Sequence, residues 1–188
     1  MIKPKIVEQS VADLAVHSSI PISFTVQTTL DVRVIDQGLG GLVLSERKNE
    51  TPYVKDYDAI EGERPTRWDI ANWGMISAFV AGSRVGGCVV AYGTPGVNML
   101  EGRKDIAALW DLRVHPDHRR TGIGSNLLQA AMAWARKRNC GVFKVETQNI
   151  NVPACRLYAK HGYVLGLINR YAYREFPEEV QLVWYREM

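Results

Sequence analysis

The sequence predicts an α/β (α+β) protein, a mixed sheet covered by helices. Three observations predict it. Before residue 100, runs rich in β-branched residues alternate with glycine-marked turns, the pattern of antiparallel hairpins. Between residues 106 and 160 strand and helix patterns alternate, so the two strands there should lie parallel through a right-handed crossover. Two more strand-like runs follow, near 163–173 and 180–186.

Composition bounds the function. A chain of 188 residues, 46% hydrophobic and 23% charged, is enough for one sizeable core, and a single domain over 1–188 is the expectation. The net charge of +3 mildly favours an anionic ligand, but no dense Lys/Arg stripe marks a nucleic-acid partner. Cys88, Cys140 and Cys155 have neither metal-ligand spacing nor a disulfide framework, which suits a reducing cytoplasm and predicts no metal. No signal-length apolar stretch follows Met1, and no run is long enough to span a membrane, so a soluble intracellular protein is expected.

In chain order, Ser10 is placed to cap a short helix carrying Val11, Leu14 and Ala15, which must stop before Pro21. Ile22–Ile35 reads as a strand, and Leu42–Leu44 as its hairpin return after the break at Asp36–Gly41. Residues 45–67 carry neither period and read as a long loop. Trp73–Ala81 and Arg84–Tyr92 flank a turn at Gly82–Ser83 and form a hairpin. Ile106–Val114 is an apolar, largely buried strand. The stripe Leu127, Leu128, Ala131, Met132, Ala135 marks a helix beginning near Gly124, ending at basic Arg136–Arg138 and stopped by Asn139–Gly141. Val142–Thr147 is the next strand, and Asn151-Val152-Pro153 starts a helix that runs past Tyr158 to His161–Gly162.

Two stretches carry chemistry. In the first, Arg119-Arg120-Thr121-Gly122-Ile123-Gly124-Ser125 lies between a strand and a helix start, where unbonded backbone N–H groups and the helix dipole favour phosphate oxygens. Its glycines permit close approach, and Arg119 and Arg120 add charged donors. It is neither a Walker loop nor a dinucleotide fingerprint. In the second, Asn151 and Tyr158 stand two helical turns apart with small Ala154 between them. By themselves they read first as a helix cap and a core tyrosine.

The two stretches together, Arg119-x-x-Gly122-x-Gly124 behind Val114-His115-Pro116 and Asn151-x-x-Ala154-x-x-x-Tyr158 followed by Gly162-Tyr163, resemble the signature of the GNAT superfamily of N-acetyltransferases. The resemblance implies a mostly antiparallel sheet with a central parallel strand pair. Its acetyl-CoA-binding core would cover roughly 106–165, with acceptor-side elements in 1–105 and C-terminal strands in 163–186. It also implies acetyl-CoA as cosubstrate, with the pyrophosphate on the Arg119–Ser125 amides and the pantetheine arm along main-chain groups of Leu112, Arg113 and Val114, which splay from the neighbouring strand. Asn151, Ala154 and Tyr158 would complete the coenzyme site.

Acetyl transfer to an amine needs a deprotonated amine, donors for the oxyanion and a proton for the departing thiolate. The resemblance makes Tyr158 the acid and a backbone N–H near Leu112 the oxyanion donor, with direct attack and no acyl-enzyme. Asp111 and Glu146 are the candidate bases; ion pairs with Arg113 or Lys144 are the alternative for each. Cys155, one turn from Tyr158, reads as a packed thiol. His115 and His118 read as structural or coenzyme-proximal.

From Glu146 through Gly166, in the tail Glu179–Tyr185 and in Tyr53-x-Lys55-Asp56-Tyr57, the chain is similar to the streptothricin acetyltransferases. These often follow Lys-Asp-Tyr with a dense acidic run, whereas here Asp56, Asp58, Glu61 and Glu63 are diluted by Lys55, Arg64 and Arg67. The resemblance implies a small cationic primary amine as partner, a streptothricin-type antibiotic first, bound by Asp56, Asp58, Asp111 and Glu146, with resistance by acetylation as the outcome. Protein-lysine or polyamine acetylation and a non-catalytic acyl-CoA sensor remain open, as does a homodimer.

Overall fold

A computed structural model describes residues 3–58 and 68–188. The chain divides into two compact units, each assembled from separate stretches: 1–22, 57–145 and 186–188 form the first, 23–56 and 146–185 the second.

The first unit is a sheet in the order β1 (Lys5–Gln9), β4 (Gly74–Val80), β5 (Ser83–Tyr92), β6 (Ile106–Val114) and the start of β7 (Val142–Gln148). β1/β4, β4/β5 and β5/β6 are antiparallel, and β6/β7 is the expected parallel pair. Period-2 alternation sends side chains of β5 and β6 to opposite faces, and both faces are covered. One meets helix α2 (Ile123–Arg136), whose Ile123, Leu127, Leu128, Ala131 and Ala135 are buried against β4, β5 and β6. The other packs Met75, Val89, Ala91, Ile106 and Ala108 with Trp73, Val97 and Leu100. Double coverage is why these strands read as continuous apolar runs. Burying one Leu of the α2 stripe stabilises the fold by about 1.5–3 kcal/mol. Close approach of a helix from the first unit's N-terminal stretch depends on Gly87: a Cβ there would sit 2.6 Å from Nδ1 of His17, on helix α1 (Leu14–Ser18).

The second unit holds the ribbon β2 (Phe24–Val34)/β3 (Leu42–Lys55), the end of β7, helix α3 (Val152–Lys160), and the antiparallel pair β8 (Val164–Asn169)/β9 (Gln181–Glu187), whose last residues return to the first unit.

Four expectations need correction. Residues 45–55 are strand, not loop: β3 runs fourteen residues and is exposed along most of its length, so no buried face imposes a hydrophobic period. Where its register slips against Val26 and Thr28, Asn49 replaces ladder bonds with its side chain, donating to the Val26 carbonyl (3.3 Å) and accepting from Thr29 (3.2 Å). β1, unread in a mixed N-terminus, pairs with β4. The β4/β5 turn falls one residue early, at Ala81–Gly82, both with positive φ (49° and 85°), as a two-residue hairpin requires. Finally, the Ser10 cap is real but opens a 3-10 turn, Val11–Asp13, before the single helical turn of α1. Among the described residues no helix is long and apolar enough to cross a membrane.

Candidate active site

In the first unit, β6 leads into a 3-10 turn at Pro116–His118 and then α2. Gly122 caps α2 with φ +91°, a left-handed conformation that excludes ordinary side chains even though a Cβ there would meet nothing within 4 Å. Asn126 is the first residue to close an intrahelical bond, to the Gly122 carbonyl (3.1 Å), so the N–H groups of Ile123, Gly124 and Ser125 belong to the first turn, which has no helical acceptors. Such a turn suits an anion.

Of the two loop arginines only Arg120 is exposed; it too has positive φ (64°). Arg119 braces the loop, donating to the Val114 (3.0 Å) and Pro21 (3.3 Å) carbonyls, and burial pulls its pKa down. The Thr121 hydroxyl donates to the His118 carbonyl at 2.6 Å. Nδ1 of His115 accepts from the Asp117 N–H at 3.4 Å, a local turn contact.

β6 supplies the next features. Its parallel ladder with β7 covers Ile106–Leu109, and Trp110–Val114 continue beyond it. On its other side Val89 faces Asp111 while Val90 faces Leu109, so Trp110 is the extra residue of a bulge, packed at a 55° tilt against Trp73 with ring centroids 4.9 Å apart. Nothing in the composition of the strand announced this bulge. Leu112, Arg113 and Val114 follow this bulge on β6 and pair with β5.

Asp111 is sealed in. Its side chain is 2% exposed and lies 2.8 Å from Nε of Arg113 and 3.4 Å from Nε2 of His17. Burial alone would raise its pKa, but His17 and Arg113 outweigh burial and hold the carboxyl below its usual range. The ion pair that the sequence offered as an alternative is formed. Arg113 is as deeply buried: it also donates to the Ser18 (3.0 Å) and Ile20 (2.9 Å) carbonyls and forks onto Asp58, with 2.9 Å to each oxygen. Any contact of Arg113 with a coenzyme falls to its main chain. Asp58 is part-exposed, and Glu61 and Glu63 lie outside the described residues.

In the second unit Glu146 is half-buried and accepts from the Tyr173 hydroxyl (2.8 Å), which in turn accepts from Nε2 of Gln148 (3.3 Å). Lys144, the partner considered for Glu146, is paired with Glu101 at 2.6 Å. Asn151 is the N-cap of α3, its side-chain oxygen accepting from the Ala154 N–H (3.3 Å). Tyr158 is buried between Tyr163 and Trp184, with ring centroids 5.9 and 6.4 Å away. Cys155 is buried and its thiol is pushed up to about 12 by desolvation, so at neutral pH it is a packed thiol and not a nucleophile. Half-buried Asp56 follows Lys55, whose ammonium is buried against Glu179 and lies 3.6 Å from the centre of the Phe176 ring. Asn149 went unnoticed as an anchor: its amide donates to the Leu30 carbonyl (3.0 Å) and accepts from the Val180 N–H (2.8 Å).

A mostly antiparallel sheet with one parallel pair, and a glycine turn opening a helix directly after the first strand of that pair, define an acetyltransferase architecture. The chain belongs to the acetyltransferase (GNAT) family, whose model matches residues 45–163. It is 33% identical over 165 residues to a streptothricin acetyltransferase of Escherichia coli, covering 86% of this chain and 84% of that one. It is 39% identical over 98 residues to streptothricin acetyltransferase A of Bacillus subtilis strain 168; that match takes in 47% of this chain and 56% of the relative. Two solved structures share the fold at 24% identity. One is nourseothricin acetyltransferase (TM-score 0.76, 98% of each chain). The other is a candidate streptothricin acetyltransferase from Bacillus anthracis in complex with acetyl coenzyme A (TM-score 0.75, 99% of this chain and 100% of that one).

Proposed function

We propose that this acetyltransferase moves the acetyl group of acetyl-CoA to a primary amine of a streptothricin-type antibiotic, a reaction that would confer resistance. The observation that carries the reading is the reach of the E. coli match. Covering 86% of 188 residues, it leaves about 26 unmatched, fewer than the 30 that follow Tyr158 or the 118 that precede Arg119, so it reaches from the Arg119 loop to Tyr158.

The residues present fit acetyl-CoA: the left-handed Gly122 opens a helix at its first turn, and among the described residues a Cβ at Gly122 would meet nothing within 4 Å. The amides of Ile123, Gly124 and Ser125 would hold its pyrophosphate with Arg120 and Thr121 at the rim. Leu112, Arg113 and Val114 would meet the pantetheine arm through main-chain groups, and Asn151 and Ala154 would border it. Acetyl-CoA supplies an acyl group activated as a thioester. Glu146, half-open and held by a neutral hydroxyl, takes the proton from the acceptor amine, directly or through water. The Leu112 N–H polarises the acyl oxygen, and the Tyr158 hydroxyl holds the proton for the leaving sulfur. Asp111 supports the fold through Arg113 and His17, and Asp56 and Asp58 attract the cation. Three buried thiols free of disulfides fit a cytoplasmic enzyme.

Mass spectrometry of streptothricin incubated with enzyme and acetyl-CoA tests the reading; the product should gain one acetyl group. An unmodified antibiotic, alongside turnover of a polyamine or a peptide lysine, removes the antibiotic while leaving the acetyltransferase.

A further inference from the structure

The second unit contains a cleft of about 730 Å³ that the proposed reaction does not use. Its charged lining is Asp31, Arg47, Arg170, Arg174 and Glu178, and its aromatic lining is Tyr171 and Tyr173. Arg47 and Asp31 satisfy one another, with 2.7 Å between Nε and the carboxylate. Among the described residues neither Arg170 nor Arg174 is paired with a carboxylate, and Glu178 offsets only one of them. Tyr171 is 83% exposed at the rim, with the Arg170 guanidinium over its ring at 5.9 Å from the centroid. Tyr173 joins this cleft to the proposed chemistry, since its hydroxyl donates to Glu146 (2.8 Å).

We infer that this cleft is an anion subsite for a second class of acceptor: a primary amine that carries a carboxylate or phosphate at its other end. The inference rests on the reading of Glu146 as the amine-side base. With the amine at Glu146, an acidic group beyond Tyr173 meets Arg170 and Arg174, which fork onto carboxylate and phosphate oxygens alike. A purely cationic acceptor gains nothing there, because the surplus charge of the cleft is positive. Both guanidinium groups are exposed, so the gain is modest, about tenfold in kcat/KM, and falls as salt rises.

The test uses two homologous series: ω-amino acids of increasing chain length with their methylamides, and ω-aminoalkyl phosphates with the corresponding alcohols. At one chain length the acid should exceed its neutral partner about tenfold in kcat/KM, and the series in which this happens identifies carboxylate or phosphate. In an Arg170→Ala/Arg174→Ala variant the ratio should fall to about one, whereas Arg33→Ala, on β2 outside the cleft, should keep it. The absence of any acid preference, or a preference that survives the double substitution, overturns the subsite. Streptothricin acetylated without acid preference in either series overturns the subsite alone. Folded, acetyl-CoA-binding protein that acetylates no amine overturns the functional reading, and the subsite with it.

Discussion

Two carboxylates on neighbouring parallel strands, Asp111 on β6 and Glu146 on β7, live under opposite conditions. Asp111 is enclosed by a guanidinium and an imidazole in a dry interior. Glu146 is half-exposed and meets a phenolic hydroxyl. Residue type is nearly the same, yet the first arrangement makes a structural anion and the second is the carboxylate proposed above as the base. A carboxylate enclosed by buried charges is costly to protonate and acts as a support; one that meets a neutral hydroxyl at half exposure is the candidate left for the base. Candidate bases are therefore separated by their partners.

The largest expected effects fall on the two groups proposed to move protons, half-exposed Glu146 and buried Tyr158. Glu146→Gln should lower turnover by roughly two to four orders of magnitude while leaving the melting transition almost unmoved. Tyr158→Phe should lower it over a similar range, in kcat more than in KM, since its proton is needed only in the transition state. Steady-state kinetics beside thermal melts decide both. Wild-type turnover in Glu146→Gln would dissolve the contrast and return the base to another group.

Next come the effects on the sealed side. Asp111→Asn leaves buried Arg113 without its nearest counter-charge and should cost about 3–5 kcal/mol of stability, read by denaturant unfolding, while the remaining folded fraction turns over. The pH dependence carries the same signature. The folded pKa of Asp111 is depressed, so its contribution is complete above the unfolded carboxylate value of about 3.9 and disappears as pH falls through the lower folded value. Stability measured from about pH 5 downward should fall less steeply in Asp111→Asn than in the wild type; parallel curves would mean that Asp111 is not the titrating group.

The smallest effect sharpens the comparison most. Tyr173→Phe removes one neutral hydrogen bond from Glu146, worth about 0.5–1.5 kcal/mol, and should reduce kcat/KM by no more than about tenfold. Unchanged steady-state kinetics in Tyr173→Phe would mean that this hydrogen bond to Glu146 does not bear on turnover.

Local pattern determined much of this protein. The strand–turn–helix around Gly122, the cap at Asn151, the parallel pairing of β6 with β7 and the family itself were all legible, because each depends on residues within a few turns of one another or on a short crossover. The tertiary structure alone decided the rest. β3 hid because a strand in an exposed ribbon has no buried face to impose alternation, and the bulge at Trp110 hid because it arises in pairing with β5. Asp111 could be base or ion pair until His17, on a distant N-terminal helical turn, and Arg113, anchored to the Ser18 and Ile20 carbonyls, closed around it. A spacing along the chain states which side chains share a face. Only packing states which charges share an interior, and there the low dielectric turns a proton acceptor into a support.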